Sequence, residues 1–440
     1  ARETEPSPIE KPHDIPSDVA AGIDDVSKRG EWNRSAPDEY GLPTETWREV
    51  VARRQRYEEV WLKLTSGEVR EINDLITLNL DICRFAEDVI SRSEGPELIR
   101  AFWHAIRDVS VLDPTCGSGA FLFAALNILE PLYTACLERM QGFVDDLDRS
   151  DWPHSPDTLK DFQTVLGQVE HHPNQQYFIL KSIVINNLYG VDIMDEAVEI
   201  CKLRLFLKLV AQVEAFEQIE PLPDIDFNIR AGNTLVGFTS LSAVRDAITT
   251  SRDAQGSVQS KMVMGEDQVV LRNIEVGAEA ADGAFRQFRT MQNKHGMDTD
   301  EFTRSKVNLR SRLAKLADEL NFYLASDSGV DTAISADYES WLTSHQPFHW
   351  FVEFYGIINR GGFDVIIGNP PYIATSKVRK VYSVVEFKTQ GCTDIYAWMM
   401  ERSLALLGGT GRSGMIVPLS IGFSSDFQAC RQILFDGYNH

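Results

Sequence analysis

"DVSVLDPTCGSGAFLFAALNIL", residues 108–129, reads as a short apolar strand ending at Asp113, a turn carrying Gly117 and Gly119, and an apolar helix. The form recurs along the chain. "NNLYGVDIMDEAVEICKLRLFLKLV" (186–210) is a strand ending at Asp192, then a helix opened by Asp195 as N-cap, with Val198, Cys201, Leu205 and Leu209 on one face. "DFNIRAGNTLVG" (226–237) is a third strand and turn, and "GFDVIIGNPPYI" (362–373) a fourth strand. "TDIYAWMMERSLALL" (393–407) is a helix, "GRSGMIVPLS" (411–420) a fifth strand, and "FQACRQILFDGY" (427–438) starts another helix. Strands alternating with helices imply an α/β fold: a doubly wound, mostly parallel sheet with helices on both faces.

Around this core the chain divides further. Residues 1–44 read as a polar arm. Residues 45–107 form an N-terminal helical region, where "TETWREVVARRQRYEEVWLKL" (44–64) and "EVREINDLITLNLDICRFAEDVI" (68–90) step apolar residues at helical spacing. Residues 108–239 form a cofactor-binding half, 240–345 a helical insertion, and 346–440 a catalytic half. Residues 141–173 are acidic and contain Pro and His, and are expected to form a loop or small insertion. In the 240–345 insertion Leu309, Leu313, Leu316, Leu320 and Leu324 make one stripe, expected to pack a helix on the core.

The bulk numbers narrow the class. The chain has 440 residues, 43% hydrophobic and 25% charged, as in ordinary globular proteins. It holds no run of about 18 apolar residues, so no transmembrane helix is expected. The polar, Pro-containing start is not a signal peptide, and the first residue is not Met. The six cysteines form no C-x-x-C pair and the nine histidines have no ligand spacing, so neither a disulfide framework nor a metal is expected. Lys and Arg number 43 against 65 Asp and Glu, a net charge of −22. That balance opposes unaided nucleic-acid affinity.

In doubly wound sheets ligands sit beyond the carboxyl ends of the strands, where the strand order reverses. The residues to read are therefore Asp113, Asp192, Asn233 and Asn369. The turn Asp113-Pro114-Thr115-Cys116-Gly117, with Gly119, is not a P-loop, because no Gly-Lys-Ser/Thr follows, and it lacks the third glycine of the dinucleotide fingerprint. An acid at the strand end disfavours a phosphate and suits a cation. A ligand with an ammonium and a sulfonium fits, which points to S-adenosylmethionine. Asp192, followed by Ile193, reads either as the acceptor of ribose hydroxyls or as a helix cap. Asn233 reads either as a partner for an adenine edge or as a turn residue.

Asn369-Pro370-Pro371-Tyr372 closes the fourth strand. Proline fixes φ, lacks an N–H and forces its predecessor to be extended. The result is a stiff arch able to aim two acceptors, the Asn369 side-chain oxygen and the Pro370 carbonyl, at one amino group. Tyr372 adds a flat ring. The alternative reading is a proline-rich strand exit with Tyr372 as a packing residue.

These motifs resemble the adenine-N6 DNA methyltransferases. "DPTCGSGAFL" is similar to their cofactor motif, "GVDI" to their ribose acid, "AGNTL" to the next cofactor turn and "NPPY" to their catalytic motif. The order is that of the γ-type enzymes. The stretch "PFHWFVEFYGIINRGGFDVIIGNPPYI" further resembles large type IIG-like enzymes and the phage-defence methyltransferases of BREX and DISARM systems. The resemblance covers residues 45–440. It implies that a target adenine flips out of double-stranded DNA into the pocket, that Asn369 and Pro370 accept from its amino group, and that Tyr372 stacks on it. It implies a place in restriction-modification or phage defence, with defence-system proteins as partners and the bacterial cytoplasm and nucleoid as the location. Three departures stand out: no Thr-Pro element precedes Asp113, the last strands and target-recognition domain of the family are not in this sequence, and the charge is acidic. The competing readings are a methyltransferase of RNA or protein glutamine, and a non-catalytic scaffold in a defence complex.

Overall fold

The computed structural model describes residues 15–146, 156–215, 220–252, 258–260, 265–292, 299–382, 384 and 387–437. The chain divides into two compact units, Ala1–Phe85 and Ala86–His440.

In the first unit, residues 15–44, read from sequence as a polar arm, hold a helix Ser17–Asp24. Val19, Trp32 and Ala36 bury themselves with Trp47, Val50 and Val51 of helix Trp47–Thr65. Trp32 donates its indole N–H to the Val19 carbonyl at 3.0 Å, satisfying the one polar atom of a buried ring. Residues 1–14 of the arm lie outside the described residues.

The second unit is built on strands β1 (Val111–Asp113), β2 (Leu188–Asp192), β3 (Ile229–Ala231), a small antiparallel pair β4 (Thr250–Arg252) and β5 (Val258–Ser260), then β6 (Phe363–Gly368) and β7 (Leu407–Met415). The main sheet has the order β3-β2-β1-β6-β7, with every pairing parallel. This bears out the expected fold. The order reverses between β1 and β6, so the switch point lies between Asp113 and the residues after Gly368.

β1 and β2 are buried almost throughout, as expected of strands covered on both faces. One face packs on helix Ala120–Asp146. That helix is long and apolar enough to cross a membrane by length and composition alone. Here its Leu122, Leu126, Tyr133, Cys136 and Met140 are instead buried in the core. Helix Asp195–Val210 buries Val198, Cys201, Leu205 and Leu209, the predicted face. On the other face Leu112, Tyr189, Val191, Phe363 and Ile366 meet Phe348, Trp350 and Phe354.

Two expectations are corrected. Within 141–173, helix Ala120–Asp146 runs on into the segment and a second helix covers Pro156–Glu170, with Leu159 and Phe162 buried; residues 147–155 lie outside the described set. The fifth strand starts at Leu407, because Gly408, Gly409 and Gly411 are strand residues. A Cβ at Gly362 would come within 2.5 Å of the Leu406 carbonyl, so the chains approach too closely there for a side chain. The leucine stripe lies on helix Thr299–Asp327 and is buried, as expected of a helix packed on the core. Leu309, Leu313, Leu316 and Leu320 are buried against helix Gly265–Gln292 and Phe227, Phe238, Phe351 and Val352, in a cluster of their own.

Candidate active site

All four strand-end residues singled out above stand along the carboxyl edge of the sheet. Asp113 ends β1, Asp192 ends β2, Asn233 follows β3 and Asn369 follows β6. The parallel order brings residues far apart in sequence onto one rim.

The glycine turn after β1 is held by its neighbours. Cys116 donates its N–H to the Val191 carbonyl at 3.0 Å, and Gly117 donates its N–H to the Asp192 carboxylate at 2.9 Å. Gly117 and Gly119 have φ of 50° and 83°, the left-handed region that favours glycine. The Thr234 hydroxyl donates to the Pro114 carbonyl at 2.5 Å, tying the third turn to the first. This clamp was not anticipated; the Thr of "AGNTL" was its only sequence signal.

Asp113 is 1% exposed and accepts from the Thr115 N–H at 3.0 Å. Burial pushes its carboxyl up to about 7, against the pull of that hydrogen bond, and the charge of Asp192 pushes the same way. A Cβ at Gly368 would lie 2.9 Å from the Asp113 carboxylate and 3.6 Å from the Thr115 hydroxyl. Asp113 therefore lies close to the residue that precedes Asn369.

Asp192 differs in part from expectation. Asp195 is the first residue of its helix, Met194 holds the N-cap position, and no side chain caps the end. The Asp192 carboxylate accepts from the Met194 N–H at 3.0 Å as well as from Gly117. The N-cap expected of Asp195 is therefore not found, and Asp192 instead ties the turn after β1 to the start of the helix. Each carboxylate oxygen keeps a further acceptor site. Ile193 beside it is 42% exposed and offers an apolar surface at the rim.

Asn233 is buried. Its backbone N–H donates to the Gln346 carbonyl at 2.8 Å, and its side-chain oxygen accepts from the Leu235 N–H at 3.1 Å. Its Nδ2 points toward the Tyr382 hydroxyl without a hydrogen bond of normal geometry. The Thr115 hydroxyl is also buried with no partner. Buried polar atoms without partners are uncommon in folded proteins. The Thr115 hydroxyl stands near the buried acid Asp113, and the set fits S-adenosylmethionine: a carboxylate for a cation, and spare donors and acceptors for its polar groups.

After β6, Pro370 is buried while Asn369 and Tyr372 are exposed. Among the described residues no donor reaches the Pro370 carbonyl. The Tyr372 hydroxyl lies 2.8 Å from the Asn369 side-chain oxygen and 2.8 Å from the Ile416 carbonyl. Its ring stands edge-on to Tyr396, with centroids 6.0 Å apart. The tie to Ile416 was not legible in sequence, since 44 residues separate the two. Among the described residues no group of three or more His, Cys, Asp or Glu could hold a metal ion.

The chain matches two family models and a curated protein. Residues 89–252 match the DNA-methyltransferase domain of MmeI. A Methanocaldococcus jannaschii protein, provisionally named a type II restriction enzyme and methyltransferase, is 28% identical over 410 residues, which is 83% of this chain and 30% of that protein. The chain thus spans under a third of that relative's length. Residues 186–439, more than half of the chain, match the Eco57I restriction-modification methylase family. With its parallel sheet and its strand-end motifs in the matching order, the chain belongs to the Eco57I restriction-modification methylase family.

Proposed function

We propose that this protein transfers a methyl group from S-adenosylmethionine to the N6 amino group of an adenine flipped out of double-stranded DNA, in a bacterial restriction-modification or phage-defence system. The observation that supports the reading is the close approach of Asp113 to Gly368 on adjacent parallel strands, where an added Cβ would lie 2.9 Å from the carboxylate; an acid able to bind a cation would then stand near Asn369 and Pro370. Asp113, the Gly117–Gly119 turn, Asp192 with Ile193, and Asn233 would hold the cofactor, with Pro114, Thr115 and Cys116 shaping the turn.

When bound, S-adenosylmethionine supplies an electrophilic methyl on a sulfonium. The chain's residues do the rest by position. The Asn369 side-chain oxygen and the Pro370 carbonyl accept the two amino hydrogens of the base. This directs the nitrogen lone pair out of the ring plane and toward the methyl. With the methyl supplied there and the carbon–sulfur bond given up in exchange, the chain's part would be to hold the amino nitrogen between its two acceptors and to leave one amino proton free to pass to solvent. Pro370 and Pro371 keep the acceptors from drifting, and the exposed face of Tyr372 stacks on the base. Double-stranded DNA is the macromolecular partner of this reading, with the cytoplasm and nucleoid as its place.

The test is transfer of labelled methyl to mixed DNA, RNA and protein, followed by digestion and identification of the modified residue. N6-methyladenine in DNA is expected. Asn369→Ala should reduce transfer at least a hundredfold while cofactor binding stays within about twofold. Label in RNA or protein glutamine, or wild-type rates from Asn369→Ala, would overturn the reading.

A further inference from the structure

The Tyr372 hydroxyl has one proton and faces two acceptors at equal distance: the Asn369 side-chain oxygen and the Ile416 carbonyl, each at 2.8 Å. Among the described residues nothing else is bonded to the Asn369 side chain. That matters because a primary amide presents an oxygen on one side and an NH2 of nearly the same shape on the other. Only the oxygen can accept from an incoming amino group. An exposed Asn without a partner would spend part of its time reversed, offering donors to a donor.

We propose that Tyr372 is a positioning residue for methyl transfer: its hydroxyl orients the Asn369 amide with the oxygen toward the target, and the Ile416 carbonyl accepts the hydroxyl's hydrogen bond when the target's amino group arrives. This rests on the methyl-transfer reading above. The amide oxygen has two acceptor sites, so it can hold the hydroxyl and the target together, or release the hydroxyl to Ile416 without leaving it unpaired. The Ile416 carbonyl is well placed for this. Ile416 donates its own N–H to the Gly368 carbonyl at 3.0 Å, which fixes its backbone beside the end of β6. The hydroxyl thereby joins the two segments that leave β6 and β7. The ring remains free on one face, so stacking and orientation are separate tasks of one side chain.

Tyr372→Phe keeps the ring and removes the hydroxyl, and so isolates the second task. The expected result, from single-turnover methylation and steady-state kinetics on the full chain, is a three- to tenfold slower methyl-transfer step, the loss of about one hydrogen bond's worth of orientation. KM for DNA, the cofactor dissociation constant and flipping, read by 2-aminopurine at the target, should change by less than about twofold. A second background sharpens the test. In Asn369→Asp the acceptor is a carboxylate, which offers oxygen on both sides and needs no orienting. Tyr372→Phe made in that background should cost less than about twofold. A wild-type methylation rate for Tyr372→Phe overturns the proposal. So does an equal loss in both backgrounds, which would make the hydroxyl a general brace, and so does a loss of 2-aminopurine signal. Failure of the wider reading looks different: wild-type enzyme would then form no N6-methyladenine at all.

Discussion

Asp113 is a residue at which burial costs stability, and the cofactor binding proposed for it would draw on that cost. Its carboxyl sits near 7, far above the 3.8 of an unfolded chain, chiefly because burial strips its water. The sign follows from linkage. Between about pH 4 and pH 7 the folded chain holds a proton that the unfolded chain has lost, so stability falls as pH rises through that window, and the full penalty persists above it. A shift of about three units corresponds to roughly 4 kcal/mol at most. Asp113→Asn should therefore raise the melting temperature by several degrees at about pH 8, with a smaller gain near pH 5, while weakening cofactor binding. A bound ammonium or sulfonium reverses the balance by favouring the ionised acid. Cofactor affinity should rise several-fold between about pH 6 and pH 7, by titration calorimetry, and the rise should vanish in Asp113→Asn. An unchanged affinity across that range in the wild type would mean Asp113 does not meet the cation.

At the scale of elements, the cofactor turn allows a sharper comparison between two glycines. Gly117 and Gly119 both have positive φ, but their surroundings differ. A Cβ at Gly117 would meet nothing within 4 Å, whereas one at Gly119 would lie 2.5 Å from the Cys201 sulfur. Gly117→Ala should cost about 1 kcal/mol of strain, and Gly119→Ala more, about 2–4 kcal/mol, because helix Asp195–Val210 must also move. Urea unfolding of the two variants checks the order, and equal losses would contradict it. The same turn shows what was legible in sequence. The glycines, Asp113 and the buried face of Val198, Cys201, Leu205 and Leu209 announce strand, turn and helix, since local conformation and periodicity are written in local residues. Helix Pro156–Glu170 was missed because its acidic, polar side masks the period. Strand β7 begins in "LGGTG", where glycine propensity argues against a strand and a close backbone approach overrides it. The Thr234–Pro114 and Tyr372–Ile416 bonds join distant segments, and no local pattern encodes such pairs.

For the whole molecule the question is how a chain of net charge −22 meets a polyanion. The charge is not even. Immediately after the Asn369–Tyr372 arch, residues 373–382 carry Lys377, Arg379 and Lys380 and no acid. The short helix Thr375–Val378 buries Thr375 and Val378, and Val378 packs with Phe387, Trp398 and Met399. The Thr375 N–H is held by the Thr393 carbonyl at 3.0 Å, and the Arg379 guanidinium reaches the Gln390 carbonyl and lies 5.7 Å over the Trp398 ring. Lys377 and Lys380 are left exposed, with no ion pair among the described residues. Fixed cations beside the arch would contact backbone phosphates next to a flipped base, while the acidic remainder would keep duplex DNA from binding elsewhere. Two lysines supply only a modest share of affinity, so these 440 residues alone should bind DNA weakly. Lys377→Glu with Lys380→Glu should weaken DNA binding further and flatten its salt dependence. Each phosphate contact contributes a slope of about 0.9 in log affinity against log salt, so the slope should drop by one to two. Cofactor affinity should be unchanged. Fluorescence anisotropy of a duplex at several salt concentrations measures both quantities. An unchanged slope would place the phosphate contacts elsewhere on the protein, and tight, salt-sensitive binding that survives both substitutions would show that the acidic surface does not govern how this chain meets DNA.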